Sequence, residues 1–184
     1  EFGSNITCNS DGTVVAIAAA DWWPTTLATT DYDIGYAGAL GIYTRSDSES
    51  STFTFRQMIT NTASQYYGSA QNLYGPHKGM HINGEGNRLF VYSGSYVHRF
   101  AGVNYGRNGV FDIWEDQGNN TWAKVVNRVG AEENTDETTN GGSFSSKWKS
   151  GTMDRSGSYI VVGSRGGTPP GGSTNTGYVT IYKG

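Results

Sequence analysis

The sequence predicts an all-β fold built from tandem antiparallel meanders. Three observations carry that expectation: a glycine-anchored segment that returns three times, a run of β-branched and aromatic residues after each anchor, and no long stretch with apolar residues at helical spacing. Composition agrees. Charged residues make up 16% of the chain, well under the roughly 25% of an ordinary soluble protein. Polarity comes instead from Gly, Ser, Thr and Asn, which favour turns and strands over helices.

The first anchor runs from Asn9-Ser10-Asp11-Gly12 into Thr13-Val14-Val15-Ala16-Ile17. The second runs from Asn83-Gly84-Glu85-Gly86 into Asn87-Arg88-Leu89-Phe90-Val91, and the third from Asp154-Arg155-Ser156-Gly157 into Ser158-Tyr159-Ile160-Val161-Val162. Each is a tight turn whose Gly suits positive φ, followed by a strand (b) fit for burial. A second anchor set opens the next strand (c): Gly38-Ala39-Leu40-Gly41-Ile42-Tyr43, Gly109-Val110-Phe111-Asp112-Ile113-Trp114 and Gly177-Tyr178-Val179-Thr180-Ile181-Tyr182. Gly12, Gly86 and Gly157 stand 74 and 71 residues apart by subtraction, and Gly38, Gly109 and Gly177 stand 71 and 68 apart. Two independent sets keep nearly one period.

A short strand (a) precedes each turn, at Asn5 to Cys8, Met80 to Ile82 and Thr152-Met153. A fourth strand (d) follows a polar turn in the first two repeats, at Thr52 to Ile59 and Thr121 to Val126, with the alternation of Phe53-Thr54-Phe55 marking a half-buried strand. The expected architecture is therefore β-propeller-type: three repeats of a four-stranded antiparallel meander, over about 5–78, 79–150 and 151–184, forming one domain from 5 to 184. The third repeat stops after strand c, so the last blade is incomplete. Residues 1–4, Glu1-Phe2-Gly3-Ser4, read as a vector-derived scar.

These motifs resemble the FG-GAP-like family of β-propeller repeats. Asp11-Gly12, Gly177-Tyr178-Val179-Thr180-Ile181-Tyr182 and Asn120-Thr121-Trp122 carry the likeness, which covers most of the chain. The resemblance implies an extracellular or virion-surface setting, with adhesion and assembly as common roles. Some members bind calcium through an Asp-x-Asp-x-Asp-Gly loop. The turns here lack that set of oxygen ligands, so no metal and no cofactor is expected. Propellers close with four to eight blades; two copies would supply six, and a homodimer is the expected assembly.

The formal net charge of -3 and the scattering of the 13 basic residues speak against a nucleic-acid partner. The longest apolar run, Val14 to Ala20, is too short to span a bilayer as a helix. Cys8 is the single cysteine, so no intramolecular disulfide forms.

In an up-down-up-down meander the b–c and d–a connections leave from one end and the tight turns from the other. The long segments are all of the first kind: 21–37, 95–108 and 165–176 between b and c, and 60–78 and 127–150 between d and a. Binding residues concentrate on such loops. The candidate ligand-binding residues are Trp22, Trp23, Tyr32, Tyr36, Tyr96, Tyr105 and Arg107. Flat amphipathic rings beside Asn, Asp and Ser suit a glycan, and equally a protein surface; the competing reading is that these rings pin their own loops. Asp31 and Asp33 place two carboxylates on one side of an extended segment, a weak basis for glycoside hydrolysis beside the plainer reading of a solvated loop. His77, His81 and His98 have no Cys or acidic partner at metal-ligand spacing. No Ser sits in a Gly-x-Ser-x-Gly elbow, and Gly166 to Gly172 lacks the Lys-Ser/Thr of a phosphate loop. No catalytic residue is assigned. The sequence thus points to a non-enzymatic binding or structural module, with a glycoside-acting enzyme as the alternative.

Overall fold

The computed structural model describes residues 2–19, 39–60, 79–93, 97–100, 103–107, 110–119, 121–129, 150–164 and 178–184. Every regular element among them is a β-strand. The first sheet comprises β1 (Phe2–Cys8), β2 (Val14–Ala19), β3 (Ala39–Thr44) and β4 (Thr54–Thr60), antiparallel and in chain order. The second begins with β5 (Gly79–Ile82) and β6 (Arg88–Ser93). A separate two-stranded ribbon, β7 (Val97–Phe100) and β8 (Val103–Arg107), follows, and β9 (Val110–Asp116) and β10 (Trp122–Val129) then complete the second sheet in the order β5-β6-β9-β10. The third sheet contains β11 (Ser150–Met153), β12 (Tyr159–Ser164) and β13 (Tyr178–Lys183).

The three repeats therefore form three antiparallel sheets of four, four and three strands, each a meander in which a, b, c and, where present, d lie side by side. The sequence expectation of a plain loop over 95–108 is corrected by the β7–β8 ribbon. Its runs Val97-His98-Arg99-Phe100 and Val103-Asn104-Tyr105-Gly106-Arg107 carry strand formers, but no matching run recurs at the repeat period in the sequence, so they left no periodic trace.

The sheets pack face to face in chain order, with the a strands β1, β5 and β11 adjacent. Each sheet can be given a front, facing the next sheet, and a back. Ala16, Ala18, Leu40, Ile42 and Ile59 on the front of the first sheet meet Ile82, Leu89, Val91 and Trp122 on the back of the second. Phe90, Tyr92, Phe111 and Ile113 on its front meet Met153, Ile160 and Val162 on the back of the third. This explains the run Leu89-Phe90-Val91-Tyr92, every residue of which is buried: alternate side chains point to opposite faces, and both faces of the second sheet are covered. In strand β13 exposure alternates, and among the described residues one face alone is covered.

Two β-bulges occur at equivalent places. Ile42 pairs with Gln57 and Tyr43 with Phe55, skipping Arg56; Ile113 pairs with Val126 and Trp114 with Lys124, skipping Val125. A bulge reverses the alternation beyond it. In β4 it puts Phe55 on the back while Gln57 and Ile59 stay on the front. In β10 it puts Lys124 on the back and Val126 on the front, packed against the second core. Gln57 then clamps the neighbouring sheet: its Oε1 accepts the Trp122 N–H at 2.6 Å and its Nε2 donates to the Trp122 carbonyl at 3.2 Å.

Burying one such aliphatic or aromatic side chain is worth about 1.5–3 kcal/mol, against about 1 kcal/mol net for a hydrogen bond. The two cores therefore outweigh the clamp. Ile113→Ala is expected to lower stability by about 2–5 kcal/mol, and Gln57→Ala by about 1–3 kcal/mol through the Trp122 N–H left without its acceptor. Urea unfolding of the two variants measures both; an Ile113→Ala loss below that of Gln57→Ala contradicts the ranking.

Candidate functional site

The meander order gives the molecule two unlike ends. At one lie the tight a–b turns, at the other the ends of b and c that bound segments 20–38, 94–109 and 165–177. The sequence-assigned ligand residues fall, by number, within the segments that these strand ends bound. Trp22, Trp23, Tyr32, Tyr36 and Tyr96, with Asp31 and Asp33, lie outside the described residues. Tyr105 and Arg107 are backbone positions of β8. There Val97 pairs with Arg107 and Arg99 with Asn104, so β8 carries one extra residue in that interval. Two of the candidates thus lie on a strand ribbon that joins β6 to β9 in the chain.

The turn-bearing end can be built atom by atom. In each turn an Asn or Asp sits three residues before the glycine. Gly12, Gly86 and Gly157 have φ of 70°, 79° and 79°, a region that costs a side chain but not glycine. Each glycine N–H donates to the carbonyl of that Asn or Asp, at 3.2, 3.1 and 3.0 Å. The side-chain Oδ1 then accepts the N–H that opens strand b: Val14 to Asn9 at 3.0 Å, Arg88 to Asn83 at 2.9 Å, Tyr159 to Asp154 at 2.7 Å. Asn83 is buried and also takes the Asn87 N–H at 3.1 Å. The device recurs three times with the same atoms, and a search for Asn or Asp at this offset finds it in the sequence.

The carboxylates at this end are committed to local donors. The Thr13 hydroxyl and backbone N–H hold Asp11 below its ordinary value, and the Ser156 hydroxyl with the Tyr159 N–H does the same for Asp154. Asp47 in the c–d turn is lowered by Ser46 and the backbone of Ser50 and Glu49. An open polar depression of about 310 Å3 is lined by Asn83, Glu85, Asn87, Arg88, Glu115, Asp116 and Ser156. Arg88 bridges it, paired with Glu115 at 3.0 Å and donating to the Gly157 carbonyl of the next turn. On the back of the second sheet the buried Asp112 pairs with Lys124 at 3.0 Å, and the Lys124 ammonium stands 5.3 Å from the Trp114 ring centre. Burial pushes the Tyr92 phenol up. Among the described residues no three His, Cys, Asp or Glu side chains gather as a metal would require.

Fold and ends together define an all-β repeat protein with one turn-bearing and one connection-bearing end. No family model matches the chain, and no curated protein matches it.

Asn83→Ala is expected to destabilise by about 1–3 kcal/mol, since it strands two backbone donors; Asn83→Asp keeps the Oδ1 acceptor but sets a buried carboxylate oxygen against the Asn87 Oδ1 and the Ser156 carbonyl that Nδ2 now serves, so it destabilises as well, as urea unfolding at pH 7 would show. Asp154 has a lowered pKa, so its contribution is fully present above 3.8 and is lost as pH falls below that value. Asp154→Asn retains the acceptor without the charge. Its acid-unfolding curve should be flatter below pH 3.8 than that of the wild type; an unchanged curve contradicts the assignment.

Proposed function

We propose that this chain is a non-catalytic binding module of the β-propeller type, in which the sheets fan around an axis lined by the a strands and the long connections form a ligand platform at one end. The observation that carries this reading is the meander order itself: tight turns leave from one end, and segments 20–38, 61–78, 94–109, 130–149 and 165–177 all leave from the other. A β stack whose longest connections all begin and finish at one end is the usual scaffold for recognition. The adjacency of β1, β5 and β11 supports the fanned arrangement. The likeness of the glycine-anchored motifs to FG-GAP-like repeats belongs to the same reading, and with it goes a proposed setting outside the cell or on a virion surface.

The ligand class we favour is a glycan. Trp22, Trp23, Tyr32, Tyr36, Tyr96 and Tyr105 supply flat faces for sugar C–H groups, and Arg107 with the neighbouring Asn and Asp residues supplies donors and acceptors for hydroxyls. A glycan array tests it. Removing an aromatic anchor costs about 2 kcal/mol, roughly 30-fold in Kd; Trp22→Ala or Trp23→Ala should weaken glycan binding to that extent while leaving the circular dichroism unchanged. Absence of any glycan ligand beside a tight protein partner overturns the carbohydrate assignment. Turnover of a glycan that disappears in Asp31→Asn or Asp33→Asn would make the chain an enzyme instead.

A further inference from the structure

The repeat lets every position be compared with its equivalents, and the comparison separates the outer faces of the stack from the inner ones. The c-strand anchors align Ile42, Ile113 and Ile181. The first two are 0% exposed, each on the front of a sheet covered by the next; Ile181 on the third sheet is 66% exposed. Leu40, Phe111 and Val179 repeat the pattern, with Val179 64% exposed beside two buried equivalents. The third sheet thus carries the same apolar front as the other two, with nothing among the described residues to cover it.

The back of the first sheet is its counterpart. The turn anchors align Cys8 with Ile82 and Met153. Ile82 and Met153 are buried against the preceding sheet, whereas Cys8 is exposed. Ile6, equivalent to the half-buried Met80, is exposed, and Ile6 pairs with Ile17 on that same back face. Thr54 and Ala123 pair with the equivalent residues Thr44 and Glu115, so Phe53 corresponds to Trp122. Trp122 is buried under the Gln57 clamp, and Phe53 is exposed.

A polar register accompanies the apolar one. The Ser10 N–H donates to the Gly84 carbonyl at 3.3 Å, and the Gly84 N–H donates to the Arg155 carbonyl at 2.6 Å. Ser10, Gly84 and Arg155 are equivalent turn positions. The ladder runs in one direction and has two ends. The Arg155 N–H and the Ser10 carbonyl take no backbone partner among the described residues.

We propose that the front of the third sheet packs on the back of the first sheet of a second copy of this chain, and that two such contacts close a ring of six sheets. A second copy is the occupant because the two free faces are the two halves of an interface this chain already makes twice, with donor and acceptor at the matching ends. A head-to-tail contact either closes or propagates; six sheets lie within the four to eight of known rings. The proposal rests on the fanned arrangement inferred above and is independent of the ligand.

Light scattering on the purified chain at about 100 µM tests it, since assembly depends on protomer concentration. The expected mass is twice the 19.8 kDa of one chain. Ile181→Asp combined with Val179→Asp should yield single chains with unchanged circular dichroism, because both side chains are exposed in the isolated chain. Val125→Asp alters an exposed apolar residue at a bulge and should leave the doubled mass intact. Cys8 gives a second readout: its reaction with a thiol reagent should be about tenfold slower in the wild type than in the double variant, since covering a thiol limits its access. A wild-type mass of one chain, or polydisperse growth without a closed species, overturns the proposal. So does Cys8 reacting equally fast in both proteins. A closed pair that binds no glycan leaves this proposal standing and removes the ligand assignment; a single chain that binds glycan does the reverse.

Discussion

The middle sheet of this molecule is apolar on both faces, and that constraint governs the rest of the structure. A meander with one wet face would alternate apolar and polar residues along every strand. Strand β6 does not: Leu89 and Val91 serve one core, Phe90 and Tyr92 the other. A sheet of this kind has to be flanked on both sides, so the natural unit is the stack, in which stability is shared between neighbours. The bulges at Arg56 and Val125 serve the same end. They let a d strand contribute Phe55 or Lys124 to one face and Ile59 or Val126 to the other.

The turns set the register in which the stack is read. Asn9, Asn83 and Asp154 each close a turn and launch strand b with one side-chain oxygen. The turns then touch one another, through Ser10 to Gly84 and Gly84 to Arg155, and through Arg88 to the Gly157 carbonyl. Gly84 is closely flanked on both sides: a Cβ there would lie 2.8 Å from Arg155 Cγ and 2.9 Å from Ser10 Oγ. Apolar faces give the stacking its energy, and the turn-to-turn contacts fix which rung meets which.

Much of the fold was legible because it is written three times. Two glycine anchor sets with nearly one period located strands a, b and c, and the pattern Phe53-Thr54-Phe55 located β4, which the structure places at Thr54–Thr60. The β7–β8 ribbon was not legible, since its short runs match no pattern repeated in the sequence and read like any aromatic loop. The bulges left no sequence signal, for Arg56 and Val125 share no chemistry. The Gln57 clamp depends on how two d strands lie across a sheet-to-sheet gap, which no local pattern encodes. Cys8 read as an isolated thiol until its equivalence to Ile82 and Met153 placed it on a face. For the candidate site, the sequence supplied the aromatic residues, and the structure supplies the strand ends that bound their segments, together with the backbone of Tyr105 and Arg107.

The front-to-back order of the sheets underlies both cores and the turn-to-turn ladder. Methyl-labelled protein and its nuclear Overhauser spectrum test that order most directly. Cross-peaks should link Ile42 to Leu89 or Val91, and Ile113 to Met153 or Val162, with none from Ile42 to Val162. Contacts joining the first core set to the second, or the absence of both groups of cross-peaks in a folded sample, would contradict the stacked-sheet account.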